Sequence, residues 1–326
     1  MFRNIAIVLF FAMIVFVVGC GEDEKTPTSP SVSKPILILE FSGLEPLANG
    51  FHYEGWVVIG DQAISSGKFN VLDDSTLVDL DGNVIADGQF DTETNLSNAI
   101  AVVISIEPND DVDPFESETH YLGGYVGRDT AALSVDFTAA LGEDFLDVQG
   151  RYGLATPTDG DSTEDEKSGL WFVEFPTEEG QEIEAGLFIP EGDNRLPFPT
   201  LRTGWVYEGW IVVDGTPVST GRFIRATVMD SSASYSGMES GFSFPGEDFL
   251  FNAPAGLTFP IDLSGDSIAV TIEPVPDDDP GPFRLHLLTA KLRTSVVERR
   301  SYDMGNQAGE FPIGTAVIKE KTATTK

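Results

Sequence analysis

The segment YEGWVVIGDQAISSGKF at residues 53–69 recurs as YEGWIVVDGTPVSTGRF at residues 207–223, 154 residues later and without a gap. Eight of the seventeen positions are identical. A second pair follows in the same order. VVISIEPNDDVDPF (102–115) matches IAVTIEPVPDDDPG (268–281) at an offset of 166, which also carries His120 onto His286 and Leu122 onto Leu288. A chain built from two copies is constrained as no single copy is, because a fold that suits one must suit the other. The two offsets differ by 12, so the second copy holds about a dozen extra residues between its blocks. YSGMESGFSFPGEDF (235–249) reads as that insertion, placed at the surface.

Each copy reads as β. Val57, Val58 and Ile59, like Ile211, Val212 and Val213, are β-branched runs followed by the turn signals GDQ and DGT. Asp214-Gly215 is the stronger hairpin turn, since glycine accepts positive φ at little cost. In the later block Val102, Ile104 and Ile106, and likewise Ile268, Val270 and Ile272, place one apolar face on an alternating strand. Pro108 and Pro274 end those strands, lacking a donor for the ladder. ILILEF (36–41) and GLWFVEF (169–175) read as first strands, HYLGGYV and LHLLTAKL as one further strand per copy. DFTAALGEDFLDV (136–148) is the best candidate for a helix. The expected fold is therefore all-β, with two tandem homologous β-sandwich-like domains at 36–155 and 169–305. The acidic stretch 156–168 links them, and a tail at 306–326 either completes a sheet or frays.

The first 35 residues stand apart. Arg3 precedes an unbroken apolar run from Ile5 to Val18, the order of a secretory signal. The run ends VVGC at Cys20, which resembles a bacterial lipobox. That resemblance implies cleavage after residue 19 and acylation of Cys20, the chain's one cysteine; an uncleaved membrane anchor is the alternative. Either way the rest of the chain is expected outside the cytoplasm, tied to a lipid bilayer. Gly21 rather than Asp after the cysteine favours the outer membrane if the bacterium has two. GEDEKTPTSPSVSKP (21–35) has no apolar face to bury and reads as a spacer, so that 20–35 is a flexible linker.

Charge excludes further classes. The 326 residues carry 53 Asp and Glu against 19 Lys and Arg, a net charge of −34, so neither nucleic acid nor anionic headgroups find a complementary surface. Three histidines and one cysteine leave no Cys/His zinc cluster and no intramolecular disulfide.

At the two repeated blocks the sequence resembles the extracytoplasmic C-terminal domain of anti-sigma-K factors. The shared features are Tyr207 and Trp210, the hairpin residues Gly215, Pro217, Val218, Ser219, Gly221 and Phe223, and the strand end Val270, Thr271, Glu273 and Pro274. The first copy departs at Ala63 and Ser105. The resemblance implies a shared extracytoplasmic β module. It does not imply anti-sigma activity, because the chain has a lipoprotein signal where such factors have a cytoplasmic sigma-binding portion, so no direct sigma-factor binding is expected.

Three constellations are candidates for chemistry. Acidic turns follow each Glu-Pro: Glu107, Asp111 and Asp113 in the first copy, Glu273, Asp277 and Asp279 in the second. Such clustering suits Ca²⁺, which takes six to eight oxygens, and equally suits turns closed by Asp side chains. Asp159, Asp161 and Asp165 alternate in the junction, as a second Ca²⁺ candidate or a plain acidic linker. His120 and His286, each 13 residues after its Glu, read as structural histidines, and no nucleophile elbow, phosphate loop or zinc motif accompanies them. Trp56 and Trp210 read as core rather than as a ligand-stacking platform. The expectation is a non-catalytic envelope protein that binds a protein or polymer or serves as structure. A sensor accessory to envelope signalling is the alternative, and an enzyme on extracellular polymers the remoter one.

Overall fold

Among the described residues, alternation of apolar side chains puts nearly all of the regular structure into strands. The computed structural model describes residues 34–321 except 49, 111, 113, 161–165, 193 and 278. Cys20, Asp111, Asp113, Asp161 and Asp165 lie outside the described residues. The first half carries β1 (Lys34–Ser42), β2 (Phe51–Ile59), β3 (Gln62–Val71), β4 (Leu77–Val78), β5 (Gln89–Asp91), β6 (Ala99–Pro108), β7 (His120–Tyr125), β8 (Thr130–Leu133) and β9 (Gln149–Leu154). The second carries β10 (Gly169–Trp171), β11 (Val173–Glu174), β12 (Glu184–Ala185), β13 (Leu187–Glu191), β14 (Asn194–Pro197), β15 (Trp205–Val213) and β16 (Thr216–Phe223). It continues through β17 (Gly246–Asp248), β18 (Ser267–Pro274), β19 (Leu285–Lys291), β20 (Tyr302–Asn306) and β21 (Ile313–Lys321). The fold is all-β. Among the described residues there is no α-helix, and the helix expected over 136–148 is a run of turns. Leu141, Phe145 and Val148 there point inward from turns rather than from one helical face.

The two repeated blocks pair alike. β2 meets β3 with Tyr53 opposite Phe69, and β15 meets β16 with Tyr207 opposite Phe223. Both ladders shift register at the same place, Gly55/Trp56 and Gly209/Trp210. β6 and β18 add on the other side, with Ser105 opposite Glu54 and Thr271 opposite Glu208. The second hairpin turns through Asp214 and Gly215 at φ of 49° and 81°, the left-handed pair that a two-residue turn of this hand needs. Tyr53 donates its hydroxyl to the Glu45 carbonyl (2.9 Å) and Tyr207 to the Pro199 carbonyl (2.9 Å), each eight residues upstream.

The outer strands cross between the halves. β21, the last strand of the chain, lies between β1 and β8, and its nine residues pair with all nine of β1. β9, the last strand of the first half, lies between β13 and β20 of the second. Each half thus completes its sheet with the other's final strand. The piece over 313–321 completes a sheet. Residues 34–321 form one compact unit, whose main core runs continuously from Leu37 and Tyr53 through Tyr152 to Tyr207 and Leu288. The expected surface insertion is also partly inside. Its β17 pairs with β10, and Glu247 and Asp248 are fully buried.

Candidate functional site

The β-pairing concentrates carboxyl groups beneath each tryptophan. In the second half the Trp210 indole N–H donates to the Thr271 hydroxyl (2.9 Å), and that hydroxyl donates to the Glu273 carboxyl. The Phe283 amide donates to Glu273 Oε1 (2.9 Å). Beside it, Glu208 accepts from the Ser219 hydroxyl (2.5 Å) and from Arg222 Nε (2.7 Å), while Arg222 Nη2 reaches Asp277. The first half repeats the relay. The Trp56 indole donates to Ser105 (2.8 Å), Ser105 donates to Glu107, and the Ser117 amide, ten residues beyond Glu107, donates to its Oε1 (2.9 Å). Glu54 accepts from Ser65, and Lys68 stands where Arg222 stands in the second half, its Nζ 3.6 Å from Glu54 Oε2.

Burial decides the protonation of these groups. Glu273 is fully enclosed and is pushed up to about 8 by loss of solvent; the Thr271 and Phe283 hydrogen bonds only partly oppose this, and the Glu208 and Asp277 charges add to it. It is therefore largely neutral at pH 7. Burial also raises Glu107, against the pull of Ser105 and Ser117. Glu54 goes the other way. Burial raises it, but His52, Ser65 and the Lys68 ammonium outweigh that and hold it below the usual glutamate range. Burial would lower Arg222, yet Glu208 and Asp277 raise it, so the guanidinium stays charged between them.

Among the described residues Glu208, Glu273 and Asp277 form the one group of three whose ligand atoms lie within 4.8 Å of one another. The sequence singles out Glu273 and Asp277 but not Glu208. The signal for it was present, since a basic residue, Lys68 or Arg222, follows each glutamate of the YEGW block by 14 positions. Arg222 already neutralises Glu208 and Asp277, so a cation would have to displace it. Asp279 is turned to the turn itself, its Oδ1 accepting the Gly281 amide (2.7 Å), as Asp277 Oδ1 accepts the Asp279 amide (3.1 Å). Asp159 lines a separate recess with Gly160, Glu239 and Arg299. Trp56 and Trp210 are core residues, about 3% and 2% exposed.

Among the open clefts where the halves meet, two mirror each other. One, of about 640 Å³, is lined by Glu118, His120 and Glu143 from the first half and Thr200 and Arg202 from the second. The other, of about 460 Å³, reverses the roles, with Glu45 and Leu47 from the first half facing Asp279, Arg284 and His286 from the second. Around them the Trp205 indole donates to the His120 carbonyl (3.0 Å), Thr119 donates to the Val275 carbonyl (3.1 Å), and Arg284 pairs with Glu45 (3.0 Å). Burial lowers His286, with Arg284 adding to the effect, so its imidazole is neutral at pH 7.

A further buried acidic group went unseen in the sequence, two of its three members lying in the insertion. Burial pushes Asp230 up to about 6, Glu247 to about 7 and Asp248 to about 6. Asp248 accepts from the Thr158 amide (2.8 Å) and the Trp171 indole (2.7 Å), and Glu247 from Ser236. These contacts fasten the insertion to the junction and to β10.

No family model matches the chain, and no curated protein or solved structure matches it either. Among the described residues no helix is long and apolar enough to cross a membrane.

Proposed function

We propose that this chain is a lipid-anchored, extracytoplasmic binding or structural protein of a bacterial envelope, built from two copies of one β module and without catalytic activity. The observation that carries the anchoring is the order Arg3, apolar run, VVGC at the N-terminus, followed by a polar spacer that leads directly into β1. The absence of catalysis is argued from enclosure. The convergent carboxyl groups sit under tryptophan and hydroxyl relays, with Glu107 and Glu273 almost wholly removed from solvent, and acid–base chemistry needs a substrate within reach. Binding falls to the open clefts between the halves, where cationic and anionic side chains face one another. An envelope protein or polymer is the partner class. Calcium at Asp159, Asp161 and Asp165, or at the turns after Glu107 and Glu273, belongs to this reading as a structural ion.

The likeness of the repeated blocks to the anti-sigma-K extracytoplasmic domain supports the second reading, an accessory in envelope signalling. Palmitate labelling tests the anchor. Label present in the wild type and absent from Cys20→Ala supports it, and label retained in Cys20→Ala rejects it.

A further inference from the structure

The net charge of −34 conceals one basic surface. The connection after β7 is the short stretch 126–129, with Arg128 and Asp129; the connection after the matching strand β19 runs over 292–301. Together with Lys291 at the strand end, it holds Arg293, Arg299 and Arg300 against the single acid Glu298. These side chains are all exposed, but the backbone beneath them is tied down. Leu292 and Val296 are buried. The Leu292 amide donates to the Asp266 carbonyl (2.8 Å), the Arg299 amide to the Leu154 carbonyl (2.8 Å) and the Val297 amide to the Tyr302 hydroxyl (2.9 Å). Two of the cations have no acid to answer them. Arg299 pairs with Glu166 (3.3 Å), and the adjoining Asp303 is taken by Arg151 (3.0 Å). Arg293 and Arg300 have no ion pair among the described residues, and their guanidiniums lie over one ring, that of Tyr302, at 5.5 and 5.9 Å from its centroid. Like charges drawn to one ring repel each other, and an oxyanion held by both relieves that repulsion.

We propose that the loop over 291–300 is a docking surface for an acidic polysaccharide, whose carboxylate or sulfate groups are taken by the Arg293 and Arg300 guanidiniums beside Tyr302. The inference rests on the polymer-binding reading above and adds a contact outside the clefts between the halves. A guanidinium presents a planar fork of donors that matches the edge of an oxyanion, and its charge does not titrate away. Carbohydrate fits better than a bilayer or a folded acidic partner. Those present a broad negative face, which would bring the rest of this acidic surface against like charge. A single polymer strand meets only the loop, and carboxylates farther than ~8 Å from it are screened at physiological ionic strength. The first half offers no such surface at the matching place, where Arg128 stands beside Asp129.

The full chain is titrated over immobilised polygalacturonate, dextran sulfate and neutral dextran. The expected result is saturable binding to at least one acidic polymer, none to dextran, and an affinity that falls as salt rises. Polygalacturonate against dextran sulfate tells a carboxylate ligand from a sulfate one. Arg293→Gln combined with Arg300→Gln weakens binding by about tenfold or more. Lys68→Gln and Arg128→Gln, which remove exposed cations elsewhere, leave it unchanged. Both loop arginines are exposed, so thermal unfolding of the double variant matches the wild type and separates loss of the contact from loss of the fold. Absence of binding to either acidic polymer overturns the proposal, as does an affinity that survives the double variant. Binding lost in Arg202→Gln but kept in the double variant assigns the polymer to the cleft and overturns the loop. Retention on phosphatidylglycerol over phosphatidylcholine vesicles, without polymer binding, assigns the loop to a membrane and overturns it too. Palmitate labelling, which tests the anchor, is independent of all these outcomes.

Discussion

Replacing Glu273 with glutamine tests whether a neutral carboxyl group is part of the folded core. The side chain is fully enclosed, and burial pushes it up to about 8 from an ordinary value of 4.5. The folded chain therefore holds a proton that the unfolded chain releases between those two values. Where the native state binds more protons, stability falls as pH rises. The stabilising contribution of Glu273 is complete below about pH 4.5 and is lost progressively up to about pH 8. Each unit of difference corresponds to ~1.4 kcal/mol, so at pH 7 the wild type has lost roughly 3 kcal/mol relative to pH 4.5, and about 5 kcal/mol above pH 8. These are ceilings, since water entry and rearrangement soften the desolvation of a buried carboxylate. Glutamine mimics the protonated acid. Its oxygen accepts from Thr271 and Phe283, and its amide replaces the carboxyl O–H. Urea unfolding of both proteins at pH 5, 7 and 8.5 gives the answer. Glu273→Gln should be nearly neutral at pH 5 and stabilising at pH 8.5, with the difference growing between. A difference that stays constant across that range shows that Glu273 ionises alike in both states, and the inference from burial fails.

Other substitutions follow from the same geometry. Arg222→Gln removes the cation between Glu208 and Asp277 and should destabilise by ~1–2 kcal/mol in urea unfolding, the partial exposure of the guanidinium having reduced the buried-pair figure. Lys68→Gln, at 3.6 Å and more exposed, should change stability by under about 0.5 kcal/mol. Gly124→Ala places a Cβ 1.8 Å from the Ala132 carbonyl oxygen, so β7 and β8 must separate; a loss of ~3 kcal/mol or more is expected by thermal unfolding.

What the sequence disclosed was local and paired. The YEGW blocks made both hairpins visible, and Asp214-Gly215 marked a turn that only left-handed backbone satisfies. Alternation along Val102–Ile106 and Ile268–Ile272 marked the neighbouring strands. None of these signals says which sheet a strand joins. The tail's sequence leaves completing a sheet and fraying both open, and β9 carries no signal of its own; each completes the opposite sheet, because register is decided by distant partners rather than by period. The boundaries drawn at 155 and 305 follow sequence similarity, and the pairing crosses both. Glu208 was passed over for a related reason. A glutamate on a hairpin strand is ordinarily solvated, and here Ser219 and Arg222 of the facing strand bond it in a buried setting. The glycine-containing insertion at 235–249 reads as surface, but Asp248 is drawn inside by Thr158 and Trp171, which are far away in sequence.

The crossing of the last strands has a mechanical consequence that a chain with separate domains would lack. β21 pairs with β1 over nine residues, and β9 pairs with β13, β20 and β10. Tyr152 and Leu154 of β9 are buried among second-half residues, and burial of each contributes ~1.5–3 kcal/mol. Suppose a protease site is inserted between Gly160 and Glu166 and cut after folding. Cutting turns an intramolecular association into a bimolecular one, and at micromolar protein against a millimolar effective concentration this costs about 4 kcal/mol. Two exchanged strands with their side chains and ladder hydrogen bonds exceed that figure. The cut protein should therefore elute as one species of unchanged size, and it should unfold in a single transition whose midpoint falls on dilution. Two independently folded domains joined by an acidic linker would instead separate on elution, with midpoints that do not depend on concentration. Separation under native conditions would mean that the halves do not hold each other through β9 and β21.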